Sequence, residues 1–187
     1  MTLNMTEQIL IGKRIAILIA FKGFKDEEYF VTKEVLAKAG GQITTFSDTV
    51  GVATGDDGGE APIDELLNRL IIDDYEAIVF VGGAGMARKI EEPDLQKIAR
   101  QTTQAGKILA AICCAPAILA KAGVLKDRKA TVWSSILDKS LIKILKSEGA
   151  DYQNQPVVID DKIVTADGPD NAQEFGEAII DAIRLKG

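Results

Sequence analysis

Cysteine is the best nucleophile this chain offers, and its two copies, Cys113 and Cys114, stand side by side directly after the apolar run Lys107 to Ile112. A cysteine at a sharp strand-to-helix junction occupies a nucleophile elbow, where the tight turn exposes its side chain above a sheet. Free N–H groups at the start of the following helix favour thiolate over thiol and can draw the pKa below about 8.5. Read without function, the same residue is a small buried hydrophobe. Glu28 is the second candidate, because a carboxyl held near a thiolate keeps its proton and can donate it to the sulfur or shuttle it later. The alternative is that Asp26, Glu27 and Glu28 are a solvated acidic first turn of a helix. Gly82 and Gly83 form the third place, where backbone N–H groups could stabilise an oxyanion or the glycines could simply permit a tight turn.

Other chemistries fall away. The chain has no histidine, which removes the usual general base and the commonest metal ligand together. Gly82-Gly83-Ala84-Gly85 has no following Lys-Ser or Lys-Thr and completes no GxGxxG pattern, so neither a P-loop nor a dinucleotide fingerprint is present. Asp56-Asp57-Gly58-Gly59 reads as a turn, and no metal or other cofactor is expected. A formal charge of −6 argues against nucleic acid as a partner. No basic stretch leads into an apolar signal core and no uncharged run is long enough to span a bilayer, so no membrane association and a cytoplasmic location are expected. Two adjacent cysteines cannot staple distant segments, and a chain of 187 residues, 47% of them hydrophobic, needs no disulfide to hold a core.

These residues must be positioned by the elements around them. Arg14 to Phe21 is a continuous apolar run suited to a strand buried on both faces. Asp26 to Ala39 has near-helical spacing and ends at Gly40-Gly41; Gln42 to Phe46 is a second strand; Asp48 to Glu60 reads as a loop or short hairpin. Ile63 to Leu70 predicts a short helix, Ala77 to Val81 a strand, Pro93 to Ala105 a helix, Lys107 to Ile112 a strand and Ala117 to Ala122 a helix, with Pro116 near its start. Ala130 to Trp133 predicts a strand, Ser140 to Ser147 a helix, Val157 to Thr165 a hairpin and Asn171 to Ile183 a closing helix. Alternating strands and helices predict one doubly wound, mostly parallel α/β sheet with helices on both faces. Residues 1–12 read as a short leader and 13–187 as a single domain. In such sheets ligands bind beyond the carboxyl ends of the strands, which is where Glu28, Gly82, Gly83 and Cys113 fall.

Three segments together resemble the DJ-one/PfpI superfamily, which includes a protein deglycase, PfpI-type intracellular proteases and class I amidotransferase-like relatives. They are Leu109 to Thr131 around the cysteines, Gly23 to Glu28, and Val157 to Pro169 leading into Ala172 to Phe175. The resemblance implies a flavodoxin-like fold, Cys113 as the reactive cysteine, Glu28 as its hydrogen-bonding acid, and Gly82, Gly83 and the Cys114 backbone as the oxyanion turn. Trp133 and Asp26 are expected to line the pocket. It also implies a homodimer, to which the aromatic pair Tyr29 and Phe30 on the first helix could contribute. Protease-like members carry a histidine where this chain has Cys114, and Trp133 stands at another position where relatives have one. Without imidazole to protonate an amide leaving group, peptidase activity is disfavoured. A thiol and one carboxyl permit conversion of small 2-oxoaldehydes to hydroxy acids with no cofactor, and the resemblance implies that glyoxalase/deglycase-type activity. Two other readings stay open: an oxidation sensor or chaperone acting through Cys113, and a protein-binding module whose cysteine is inert.

Overall fold

The computed structural model describes residues 9–186. In chain order it contains β1 (Arg14–Leu18), β2 (Lys22–Phe24), α1 (Asp26–Lys38), β3 (Gln42–Ser47), β4 (Gly51–Gly55), β5 (Glu60–Ile63), β6 (Glu65–Leu66), β7 (Ala77–Phe80), α2 (Ala84–Ala87), α3 (Pro93–Gln104) and β8 (Ile108–Ile112). It continues with α4 (Pro116–Lys121), β9 (Lys129–Ala130), α5 (Ser140–Ser147), β10 (Asp151–Tyr152), β11 (Val157–Asp160), β12 (Ile163–Ala166) and α6 (Ala172–Lys186). Seven strands form the main sheet in the order β11-β12-β8-β7-β1-β3-β6, parallel except where β11 pairs antiparallel with β12. The mostly parallel α/β sheet expected from the alternation of elements is the one observed.

Strand alternation sends successive side chains to opposite faces, and both faces are buried. Ile15, Ile17, Val79 and Ala110 pack with Tyr29 and Leu36 of α1 and with Phe175 and Ile179 of α6. Ala16, Leu18, Ile78 and Leu109 pack on the other side with α3, α4 and α5 through Ile98, Ile118 and Leu145. Cys113, at the end of β8, touches both clusters. The expected leader falls partly on residues 1–8, which lie outside the described residues; Leu10, further along it, is fully buried in the α1 and α6 cluster.

Local expectations and structure differ in three places. Ile63 to Leu70 is not a helix: Glu65–Leu66 extends the sheet edge beside β3, and only Leu67–Arg69 makes one 3-10 turn. Asp64 decides this, because its N–H donates to the Thr45 carbonyl at 3.0 Å and its carboxylate accepts from the Thr45 N–H at 2.7 Å. A fragment this short has too few helical hydrogen bonds to resist that pairing. The strand expected over Ala130 to Trp133 shrinks to Lys129–Ala130, paired with Asp151–Tyr152. Beyond it the ladder is replaced by other partners, with Thr131 N–H donating to Thr165 Oγ1 at 2.9 Å and Trp133 N–H to the Cys113 carbonyl at 2.9 Å. Finally, Tyr29 is completely buried, its hydroxyl 2.8 Å from Thr45 Oγ1, so of the aromatic pair on α1 only Phe30 reaches the surface. The Asp48 to Glu60 segment is a hairpin, β4 against β5, and β2 joins its edge to make a small three-stranded sheet.

Candidate active site

Cys113 follows β8 with a φ of 63°, a left-handed conformation that costs an ordinary residue on the order of 1 kcal/mol or more. Tertiary hydrogen bonds hold it there. The Cys113 N–H donates to the Ala166 carbonyl at 2.9 Å, and the Cys113 carbonyl accepts from Trp133 N–H at 2.9 Å. The next residues turn into α4, which starts at Pro116. The sharp junction expected from the sequence is therefore present, and the side chain of Cys113 is half-buried.

Glu28 sits in the first turn of α1 with no solvent exposure. Its Oε2 accepts the Gly82 N–H at 2.9 Å, while Oε1 is buried without a hydrogen-bond partner. Burial first, and Cys113 second, push its pKa up to about 9, against the weaker opposing pulls of the Gly82 N–H and the Lys25 ammonium. Glu28 is thus a carboxylic acid at neutral pH, with a proton to give. Gly82 is clasped from both sides, since its carbonyl also accepts the Lys25 N–H at 3.0 Å. A Cβ at Gly82 would lie 2.7 Å from Cys113 Cβ and 2.8 Å from Glu28 Oε2, so only glycine lets the acid and the elbow flank it together.

This arrangement revises the oxyanion turn. The Gly82 N–H is committed to Glu28, so the backbone donors left for an oxyanion are those of Gly83 and Cys114. Gly83, with φ 109°, is pressed against Gly23 to Lys25, where a Cβ would collide with the Lys25 backbone nitrogen. Asp26, expected in the pocket, faces elsewhere: its two carboxylate oxygens accept the Asp57 and Gly59 N–H groups at 2.8 and 2.5 Å in the β4–β5 turn. Trp133 meets the elbow through its backbone, and its ring lies beside Gly168. The thiol of Cys113 is held above its ordinary value, chiefly by the neighbouring Cys114 side chain and then by burial; Glu28 and the Cys114 N–H pull the other way. The downward pull expected from a helix start is therefore opposed by the adjacent thiol. Lys25 and Ala166 are positioning residues that sequence reasoning missed, because both act through backbone atoms that no residue type advertises.

A half-buried cysteine on a strained elbow, a buried protonated glutamate and a glycine between them define an α/β protein of cysteine-elbow type. The chain belongs to the DJ-1/PfpI family, which matches residues 13–182. It is 29% identical over 180 residues to protein/nucleic acid deglycase 2 of Escherichia coli, covering 95% of this chain and 99% of that one. It is 25% identical over 171 residues to the glutathione-independent glyoxalase DJR-1.2 of Caenorhabditis elegans, covering 91% and 89%. The crystal structure of a ThiJ/PfpI domain protein from Brachyspira murdochii superposes with a TM-score of 0.87 at 28% identity, over 92% of this chain and 96% of that one. Among the described residues no helix is long and apolar enough to cross a membrane.

Proposed function

We propose that the protein is a cysteine-dependent glyoxalase of the glyoxalase/deglycase type, converting small 2-oxoaldehydes to hydroxy acids with water as the only co-reactant. The observation that carries this reading is the fully buried Glu28 carboxyl, which crowds the same side of Gly82 as Cys113 and has one oxygen unpartnered; burial there holds it protonated. Names of relatives as deglycases and a glyoxalase support it.

The resting Cys113 is a thiol, held protonated by Cys114 and by burial, and the cycle starts when it loses its proton to solvent water beside a protonated Glu28. The sulfur forms a bond to the aldehyde carbon as the carbonyl π bond breaks. The Gly83 and Cys114 N–H groups face the developing alkoxide, and Glu28 gives it its proton. The resulting carboxylate takes the hydrogen of that same carbon, leaving an enediolate, and returns it to the adjacent carbon while the hydroxyl proton passes to the neighbouring oxygen. The product of this step is a thioester of a 2-hydroxy acid. Water then attacks the thioester and loses a proton to Glu28, and the C–S bond breaks to release the hydroxy acid and restore the thiolate. One carboxyl serves the transfers at the alkoxide, at the two carbons and at the attacking water, so the absence of histidine is no obstacle.

The test is hydroxy-acid formation from glyoxal and methylglyoxal, counting product and not substrate loss, because lysines and thiols form adducts without turnover. The wild type yields many equivalents per chain, and Cys113→Ser yields none above the uncatalysed background. Product no greater than that of Cys113→Ser overturns the reading. Oxidation sensing through Cys113 is then the next candidate, since an unpartnered acid beside the sulfur suits a sulfinate as well.

A further inference from the structure

The turn Asp56-Asp57-Gly58-Gly59 takes no part in the proposed chemistry, yet one of its side chains reaches the oxyanion turn. Asp56 Oδ2 accepts the N–H of Ala84, the residue after Gly83, at 2.9 Å. Asp56 is itself fixed, its own N–H donating to the Phe24 carbonyl at 2.8 Å at the end of β2. The carboxylate crosses to α2 past Gly23, whose φ is 77°. A Cβ there would lie 3.0 Å from Asp56 Oδ1 and 3.0 Å from the Gly85 nitrogen, so a glycine keeps that path open.

Gly83 joins two peptide planes, and a glycine leaves the rotation between them soft. The first plane carries the Gly83 N–H left for an oxyanion, and the Lys25 N–H holds its other end at the Gly82 carbonyl, 3.0 Å away. The second carries the Ala84 N–H at one end and, at the other, the Gly83 carbonyl, which accepts from Cys114 Sγ of the elbow at 3.5 Å. α2 spans only Ala84–Ala87, and the first amide of a helix has no partner within it. Gly83, with no side chain, cannot cap that amide either. Asp56 supplies the missing acceptor from 28 positions away. We infer that Asp56 is a positioning residue for the reaction: by holding the Ala84 amide it locks the Gly83 N–H in place beside the elbow. This role rests on the aldehyde chemistry proposed above. Asp26 serves the same turn differently, since it holds the Asp57 and Gly59 amides and Asp56 keeps its bond to Phe24 without it.

The test compares Asp56→Ala, Asp56→Asn and Asp26→Ala in hydroxy-acid formation from methylglyoxal. Asp56 is exposed in its turn, so alanine there opens no cavity. Asp56→Ala lowers kcat by about tenfold or more and leaves KM within about twofold of the wild type, as loss of a contact made only in the transition state does. Asp56→Asn, which keeps an acceptor for Ala84, restores the rate. Asp26→Ala loosens the same turn, spares the Asp56 bond and stays near the wild-type rate. A kcat in Asp56→Ala no lower than in Asp26→Ala, or a loss that Asp56→Asn does not recover, overturns the inference. If the wild type forms no product, the aldehyde reading fails by itself, and the Gly83 amide signal in ¹H–¹⁵N spectra decides the role of Asp56. That signal broadens in Asp56→Ala, as the unlocked turn samples more than one arrangement, and stays sharp in Asp56→Asn. A Gly83 signal as sharp in Asp56→Ala as in the wild type overturns the role.

Discussion

The first turn of α1 serves two regions with two carboxylates only two residues apart, and they are treated oppositely. On the hairpin side Asp26 is satisfied at both oxygens by backbone N–H groups of the β4–β5 turn. On the cysteine side Glu28 is buried, bonded at one oxygen and orphaned at the other. Burial with one oxygen unpartnered favours the acid form of Glu28. One helical turn therefore yields an anchor for the hairpin turn and a proton reservoir from nearly identical side chains, and the difference lies in what the rest of the fold brings to each.

The contrast breaks most severely at the glycine whose bare Cα leaves room for both the acid and the elbow. Gly82→Ala places a methyl group within 2.7 Å of Cys113 Cβ and 3.0 Å of the Ile112 carbonyl, and backbone on that side cannot yield cheaply. Steady-state kinetics on the proposed substrates should show a fall of roughly a hundredfold or more in turnover, with a stability loss of about 1–3 kcal/mol by denaturant unfolding.

Glu28→Gln removes the proton and keeps an acceptor for Gly82. The folded value of about 9 lies above the ordinary 4.5, so the folded state binds more protons than the unfolded one between those limits. Stability from this group is fully present below about 4.5 and is lost as pH rises towards 9, at up to about 1.4 kcal/mol per unit. The wild-type melting temperature should decline across that window, and the decline should flatten in Glu28→Gln, while turnover falls by about 10²–10⁴. An unchanged slope would show that Glu28 ionises normally.

Asp26→Ala gives the smallest effect and the sharpest contrast. It strips two charge-assisted bonds from the hairpin turn, costing about 1–3 kcal/mol, and leaves the rate with saturating aldehyde close to that of the wild type. A large loss of rate without a loss of stability would place Asp26 at the chemistry after all.

What the sequence announced and what it hid divide along the same physical line. The buried strands β1, β7 and β8 and the turn residues after them were legible because continuous apolar runs ending in Gly-Gly or Cys-Cys-Ala-Pro have few other uses. Glu28 was legible as a residue type at a strand end, but its separation from Asp26 was not, since partners 54 and 31 positions away decide it. The helix expected over Ile63 to Leu70 failed for a related reason, because a side chain bonding back to Thr45 outweighed local periodicity. The commitment of the Gly82 N–H could not be read either, as a backbone donor carries no signature in the residue that bears it.

That commitment makes one amide a gauge of the whole site. Exchange of the Gly82 hydrogen with solvent requires it to leave Glu28, and the carbonyl on the same residue is tied to the Lys25 N–H, so opening must part α1 from the glycine turn. Slow exchange at this position reports, in a chain with nothing bound, how much of the time the acid and the elbow stand assembled.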